Sequence, residues 1–312
     1  MVVLKLDKMK AFVRIGSENN RVELMDVNIP TIDENEVLVK VASFGVGIHD
    51  RYFIPKEATF PYPIRIEGAG LIVKTGEQVK DFRIGDRVIF SSSMQLKGGC
   101  YAACVAVSSD AIIHMPKEMN FTEGAAIPVA GKTALESINA LNLTKGETLF
   151  IAGASGAIGT LVIQLAKNKG IRVIGLASSK NHTYMKSLGA EEAVDYNDPN
   201  WKIKVKQWVP GGVDAALAIQ PGTGADSMEV VKNGGEVITV SGDKVEDSER
   251  DITVRQFQHQ LTIQEAVNEL LQDIVTEKIK IIIERVYPFE EALKALEKTE
   301  TRHARGKLVV SI

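Results

Sequence analysis

Residues 146–170 read GETLFIAGASGAIGTLVIQLAKNKG, and this stretch limits the fold more than any other. Thr148 to Ala152 is an apolar run of strand length. Gly153, Gly156 and Gly159 follow at intervals of three. Leu161, Val162, Leu165 and Ala166 are then spaced for one face of a helix, and Gly170 ends it. A glycine lets the backbone turn sharply and lets a phosphate approach where a Cβ would otherwise stand. The helix that follows directs its unpaired N–H groups and the positive end of its dipole at the same place. A second strand, Arg172 to Ala177, completes a βαβ unit suited to a pyrophosphate. The spacing G-x-x-G-x-x-G differs from the commoner G-x-G-x-x-G, so the order of elements carries the reading. The competing explanation is a tight turn that only packs a helix on a sheet.

The second strand runs into Ser178, Ser179 and Lys180. A site for an unphosphorylated ribose usually places Asp or Glu about 20 residues past the glycines. No acidic residue occurs between Ile171 and Ala190. Two hydroxyl donors and a cation stand there instead, which suits a 2′-phosphate and favours NADP(H) over NAD(H). An ordinary solvated lysine at a helix start is the alternative for Lys180.

A chain of 312 residues exceeds one core of typical size, so two domains are expected. A net charge of −3 implies no strongly basic face, which argues against a nucleic-acid partner. No apolar run approaches the ~20 residues of a membrane span. The opening MVVLKLDKMKAF lacks a signal-peptide layout. With two cysteines, Cys100 and Cys104, a reduced, cytoplasmic protein is expected, and the pair reads as small strand residues rather than a redox couple.

Period-two patterning predicts strands over Lys10 to Ile15, Val22 to Val27 and Glu36 to Ser43. The loop from residue 44 to 63 holds His49, Asp50, Arg51 and Tyr52, the densest polar run of the first hundred residues. Loops carry sites more often than strands. From Asn120 the texture turns helical, with breaks expected at Pro128 and Gly131. Beyond the glycine turn, strands (Glu192 to Asp195, Val213 to Ile219, Gly235 to Val240) alternate with helices (Trp201 to Trp208, Gly224 to Val231). That alternation argues a doubly wound parallel sheet. An amphipathic helix over 263–277 and a closing β-α-β piece follow.

These segments together resemble the zinc-independent medium-chain dehydrogenases/reductases of the quinone oxidoreductase type. The resemblance rests on Gly146 through Gly159 to Gln164 and Lys167, on Glu67-x-x-Gly70-x5-Gly76-x-x-Val79, on Phe82 to Val88, on Pro128 to Ala134, and on His303 to Val309. Ala157 stands where a second glycine is usual, Phe150 and Lys132 where leucine is usual. The resemblance spans essentially the whole chain. It implies an α/β architecture: a GroES-like β-barrel catalytic domain from residues 1–118 and 260–312, and a Rossmann NADP-binding domain from 119–259, with the site in the cleft.

The resemblance also implies roles. Tyr52 falls where relatives carry a tyrosine near the nicotinamide, and it is expected to orient the substrate carbonyl or the nicotinamide. Asp50 matches a family aspartate that is structural. Thr133 is expected at the nicotinamide amide. Ser155, Gly156, Ala157 and Ile158 would line the pyrophosphate. Ser178, Lys180 and Tyr196 would hold the 2′-phosphate and adenine. Val240, Ser241 and Gly242 would pass near the nicotinamide. Zinc-dependent relatives have a cysteine where this chain has Gly47 and a histidine where it has Ile66, so no metal is expected. Without a Lewis acid to polarise an alcohol, an electron-poor quinone or enone is the expected substrate. A nicotinamide-binding sensor or structural protein is the alternative from another class, and a zinc alcohol dehydrogenase a third reading. The segment from Asp243 to Thr262 is shorter than in relatives. Ile252 to Phe257 supplies an edge strand, through which a homodimer is expected.

Overall fold

A computed structural model describes residues 8–64, 66–246 and 250–312. The opening residues 1–7, read above for a targeting segment, lie outside the described set. In chain order the strands and helices are β1 (Lys8–Arg14), β2 (Val22–Asn28), β3 (Glu36–Val46), β4 (Tyr62–Pro63), β5 (Glu67–Thr75), β6 (Arg87–Ser91), β7 (Cys104–Ser108), β8 (Ile112–His114), α1 (Phe121–Ala125) and α2 (Pro128–Ala140). Next come β9 (Thr148–Ala152), α3 (Ala157–Asn168), β10 (Arg172–Leu176), α4 (His182–Leu188), β11 (Glu192–Val194), α5 (Trp201–Trp208), β12 (Val213–Ala218), α6 (Gly224–Val230), β13 (Val231–Thr239) and β14 (Thr253–Gln256). The remainder is α7 (Ile263–Val275), β15 (Ile283–Pro288), α8 (Ala292–Glu300) and β16 (Lys307–Ser311).

The chain divides into two compact units. The first holds the described residues up to Val129, past the texture change at Asn120, with Thr262–Leu271 and Ile283–Ile312. Its strands pair as a seven-stranded sheet, β15-β16-β3-β5-β6-β8 with β7 also on β3, and a three-stranded sheet, β2-β1-β4. All these pairings are antiparallel except β15 with β16. Alternation along EVLVKVAS puts Val37, Val39 and Val41 in the core and Lys40 outside. Leu38 is buried as well, on a stretch of β3 paired on both sides, with Lys74 of β5 and Ala106 of β7. Phe44 lies against Tyr101 with ring centroids 4.2 Å apart, at the middle of this core.

The second unit holds Ala130–Leu261 and Gln272–Ile282. Its sheet has the order β11-β10-β9-β12-β13-β14, every pairing parallel. β9 is central and every residue of it is buried, which explains its uninterrupted apolar run. Phe150 on β9 stacks on Trp201 of α5, centroids 5.4 Å apart and 4° between planes. Burying such a ring contributes roughly 1.5–3 kcal/mol. The strand order reverses at β9, and ligands of such sheets bind beyond the strand ends at that point.

The helix expected to break at Gly131 differs from the sequence reading. Pro128 starts α2 as expected of proline at a first helical position, but Gly131 does not break it. A glycine inside a helix costs about 1 kcal/mol relative to alanine. The buried residues Ala130, Ala134, Leu135 and Ile138 offset that by packing.

Candidate active site

The turn after β9 is built by its glycines. Gly153 has φ +91°, a conformation other residues resist. Its N–H and that of Ala154 both donate to Leu176 O at 3.2 Å, which ties the turn to β10. A Cβ on Gly159 would stand 2.5 Å from Gly153 O and 2.6 Å from Ala154 Cα, so only glycine lets α3 sit this close to the turn. A Cβ on Gly156 would meet nothing nearer than Gly153 O at 3.6 Å. That side of the turn is open. Gly156 caps α3 without a side chain, and no acidic residue sits in the first turn of the helix. An anion approaching there meets N–H groups and no carboxylate of α3, so the turn fits a pyrophosphate.

Ser155, Gly156, Ala157 and Ile158 form the turn and the start of α3. Ser178 closes β10, the parallel neighbour of β9. Asn181 joins the two, its Nδ2 3.2 Å from Ser155 Oγ and 3.2 Å from Ser178 Oγ. Lys180 is exposed in the same turn, and Tyr196, half exposed, follows β11. The structure also brings in Asp195, which sequence reading missed. Its Oδ2 accepts from Ser179 N at 2.9 Å, and its Oδ1 from Asn197 N at 2.9 Å. Hydrogen bonds from Asn197 foremost hold its carboxyl below the usual range. A carboxylate from β11, the next parallel strand, thus stands beside the turn after β10, and that strand pairing is the signal that would have found it.

Val240, Ser241 and Gly242 follow β13, with Val240 N and Ser241 N donating to Ala218 O at 2.9 and 3.4 Å. β12 separates them from the glycine turn. Thr133 is buried on α2. Beside it, Lys132 is not a free charge. Glu136, one turn on, accepts from Lys132 Nζ at 3.1 Å, His259 Nδ1 at 2.5 Å, and the N–H groups of Gln260 and Leu261 at 2.6 Å. Burial pushes its carboxyl up, and these donors outweigh that to leave it lowered.

Tyr52 belongs to the first unit. Its loop is pinned by the two residues before it. Asp50 Oδ2 accepts from Gly47 N at 2.8 Å and from Tyr101 Oη at 2.7 Å. Arg51 pairs with Glu300 at 2.5 and 2.9 Å, and its carbonyl accepts from Arg14 at 3.3 Å. Tyr52, 50% exposed, is presented from a loop that does not depend on it for packing. Burial, and then the charge of Arg302, lower the pKa of the neighbouring His49. Beneath the loop, Glu67 is buried with Lys307: one oxygen pairs with Lys307 Nζ and the other accepts from Val129 N at 2.7 Å.

Asp50 is fully enclosed, and its Oδ1 has no hydrogen-bond partner. Burial foremost pushes its pKa up from 3.8 to about 6, against the opposing bonds from Gly47 and Tyr101. Between about pH 4 and pH 6 the folded state therefore holds a proton here that the unfolded chain has released. This contribution to stability is complete below about pH 4 and is lost as pH rises through about 6, a change on the order of 3 kcal/mol. Asp50→Asn is expected to remove that component. Urea unfolding from pH 4 to 7 should show a stability change that falls more steeply with pH in the parent than in the variant. Parallel curves would refute the assignment.

The donor set does not fit zinc. Among the described residues no three His, Cys, Asp or Glu side chains cluster as metal ligands. Gly47 stands at the cysteine position, and a Cβ there would come within 2.8 Å of Asp50 Oδ1, so the carboxylate occupies the space a ligand would need. Ile66 offers no donor. Cys100 is buried with its thiol 3.1 Å from Glu67 O, and Cys104 is free.

Fold and turn together define a medium-chain dehydrogenase/reductase. Residues 33–117 match the alcohol dehydrogenase GroES-like domain and 188–310 the zinc-binding dehydrogenase domain. A chloroplast envelope quinone oxidoreductase homolog of Arabidopsis thaliana is 30% identical over 92% of this chain and 93% of its own length. An NADPH-dependent alkenal/one oxidoreductase of the same plant is 29% identical over 91% of this chain and 74% of that protein. The solved quinone oxidoreductase of Coxiella burnetii superposes with a TM-score of 0.85 at 28% identity, covering 98% of this chain and 99% of that one. The chain belongs to the quinone oxidoreductase family. No helix among the described residues is long and apolar enough to cross a membrane.

Proposed function

We propose that the protein is an NADPH-dependent reductase of quinones and other conjugated carbonyls, working without zinc. The observation that carries this reading is the open side of the glycine turn at Gly156, flanked by the hydroxyls of Ser155 and Ser178. A bound nicotinamide supplies the hydride. Gly156 leaves room for the pyrophosphate, which the N–H groups of Ala157 and Ile158 would hold beside Ser155; Ser178, Lys180 and Tyr196 would hold the 2′-phosphate and adenine. Thr133 and Val240 to Gly242 orient the nicotinamide. The Tyr52 hydroxyl orients the substrate carbonyl, and water returns the proton that completes the reduction. Edge strand β14 makes a homodimer part of the same proposal. The names of the relatives support the substrate class, and that of the alkenal/one oxidoreductase supports NADPH.

Cofactor consumption with 1,4-benzoquinone, 9,10-phenanthrenequinone, a 2-alkenal and a simple ketone tests this. NADPH should be oxidised by a quinone or alkenal, at least tenfold faster than NADH and equally fast with a chelator present. NADPH binding without turnover of any acceptor would favour a sensor. Chelator-sensitive oxidation of ethanol would overturn the metal-free reading.

A further inference from the structure

Asn181 links two parts of the candidate cofactor site, and its chemistry fixes how they present themselves. Asparagine at a helix N-cap ordinarily accepts from the N–H groups of the first turn. Asn181 stands at the N-cap of α4 and makes no such bond. Its side chain, on a residue only 9% exposed, turns instead to Ser155 and Ser178. The turn is held by Asn181 N donating to Ser178 O at 2.9 Å and by the His182 ring 3.2 Å from Ala177 O.

An amide nitrogen carries donors only, whereas a serine hydroxyl is one donor and two acceptors. Ser155 Oγ and Ser178 Oγ must therefore both accept from Asn181. Each keeps its single proton for a different acceptor. One hydroxyl lies beside the N–H groups that open α3, the other beside Lys180. Hydrogen bonds from such groups to a phosphate are charge-assisted and stronger than neutral ones. The nearby Asp195 carboxylate, engaged with Ser179 N, opposes an anion, so the polarity of the Ser178 hydroxyl weighs more.

We propose that Asn181 sets the donor polarity of both serines and is a positioning residue for selection of a 2′-phosphorylated nucleotide. This rests on the NADPH reading above. Calorimetric titration with NADPH, 2′,5′-ADP and 5′-AMP tests it on the parent, N181A, N181D, S178A and S178A/N181A. N181A is expected to weaken 2′,5′-ADP about tenfold and 5′-AMP about threefold or less. N181D, whose carboxylate accepts hydrogen bonds from both hydroxyls and adds negative charge, should weaken 2′,5′-ADP about a hundredfold. In the S178A background, N181A should weaken 2′,5′-ADP no more than it weakens 5′-AMP, because it acts through Ser178. Equal loss for both fragments, no loss, or multiplying effects of S178A and N181A would overturn the proposal. A folded parent that binds none of the three ligands would instead overturn the NADPH reading. Should N181D fail to fold, the S178A and N181A cycle decides alone.

Discussion

Replacing Lys307 by methionine is expected to lower the unfolding free energy by about 3–5 kcal/mol. Lys307 and Glu67 have side chains 7% and 1% exposed, and they pair directly. Methionine keeps most of the stem's volume but removes the ammonium. Glu67 then keeps one bond, from Val129 N, and loses its counter-charge in a place water does not reach. Space gives no relief, since a Cβ on Gly45 would already stand 2.9 Å from both Glu67 Oε1 and Lys307 Cε. Lys307→Met with Glu67→Gln should recover most of the loss, because the double change removes the stranded charge. Chemical denaturation of the parent, both single variants and the double variant measures this. A Lys307→Met variant within about 1 kcal/mol of the parent would show that the pair contributes little.

Gly159→Ala is expected to destabilise the fold where Gly156→Ala does not. A methyl at 159 meets three backbone atoms of Gly153 and Ala154 at 2.5 to 2.7 Å, and backbone cannot rotate away. The helix must lift from the turn, at a cost of about 1–3 kcal/mol or more. Nucleotide affinity should fall at least ~tenfold, because the N–H groups at the start of α3 move with it. Gly156 has φ −80°, acceptable to alanine, and its methyl finds open space. Gly156→Ala should stay within about 0.5 kcal/mol of the parent, yet bind NADPH less tightly because the methyl occupies the phosphate's side of the turn. Thermal melts and NADPH titrations separate the two effects. A Gly159→Ala protein as stable and as tightly binding as the parent would refute the packing argument.

What could be read in the sequence follows from how locally each feature is encoded. β9 and α5 were legible to the residue, one from a bounded apolar run and the other from its place in the strand–helix alternation. The glycine turn was legible because its three glycines and the helix behind it are contiguous. Asp195 was not, since its place beside Ser179 comes from pairing of separate strands, although the count of acids between Ile171 and Ala190 was correct. Asn181 drew no reading from the sequence. Its role depends on Ser155, which another strand delivers. Glu67 and Lys307 come from opposite ends of the chain, and no periodicity pairs such residues. The partners of Glu136 were half legible: Lys132 at helical spacing, but not His259 or the N–H groups of Gln260 and Leu261.

β16 pairs on one side with β15 and on the other with β3, at Leu308 with Val46 through Ser311 with Ser43. A sheet whose central strand waits for a partner made so much later closes one of the longest loops the chain allows. Closing it is entropically unfavourable, and the cost grows only slowly with length, but during synthesis no local folding can supply the missing edge. Until the ribosome has delivered residues 307–311, the Ser43–Val46 end of β3 lacks its partner on one side, the rest of that side pairing with β7, and Glu67 has no ammonium to meet it. The Rossmann strands β9 to β14 are contiguous and free of that wait. The seven-stranded sheet is the part of the molecule most exposed to misassembly while the chain is being made.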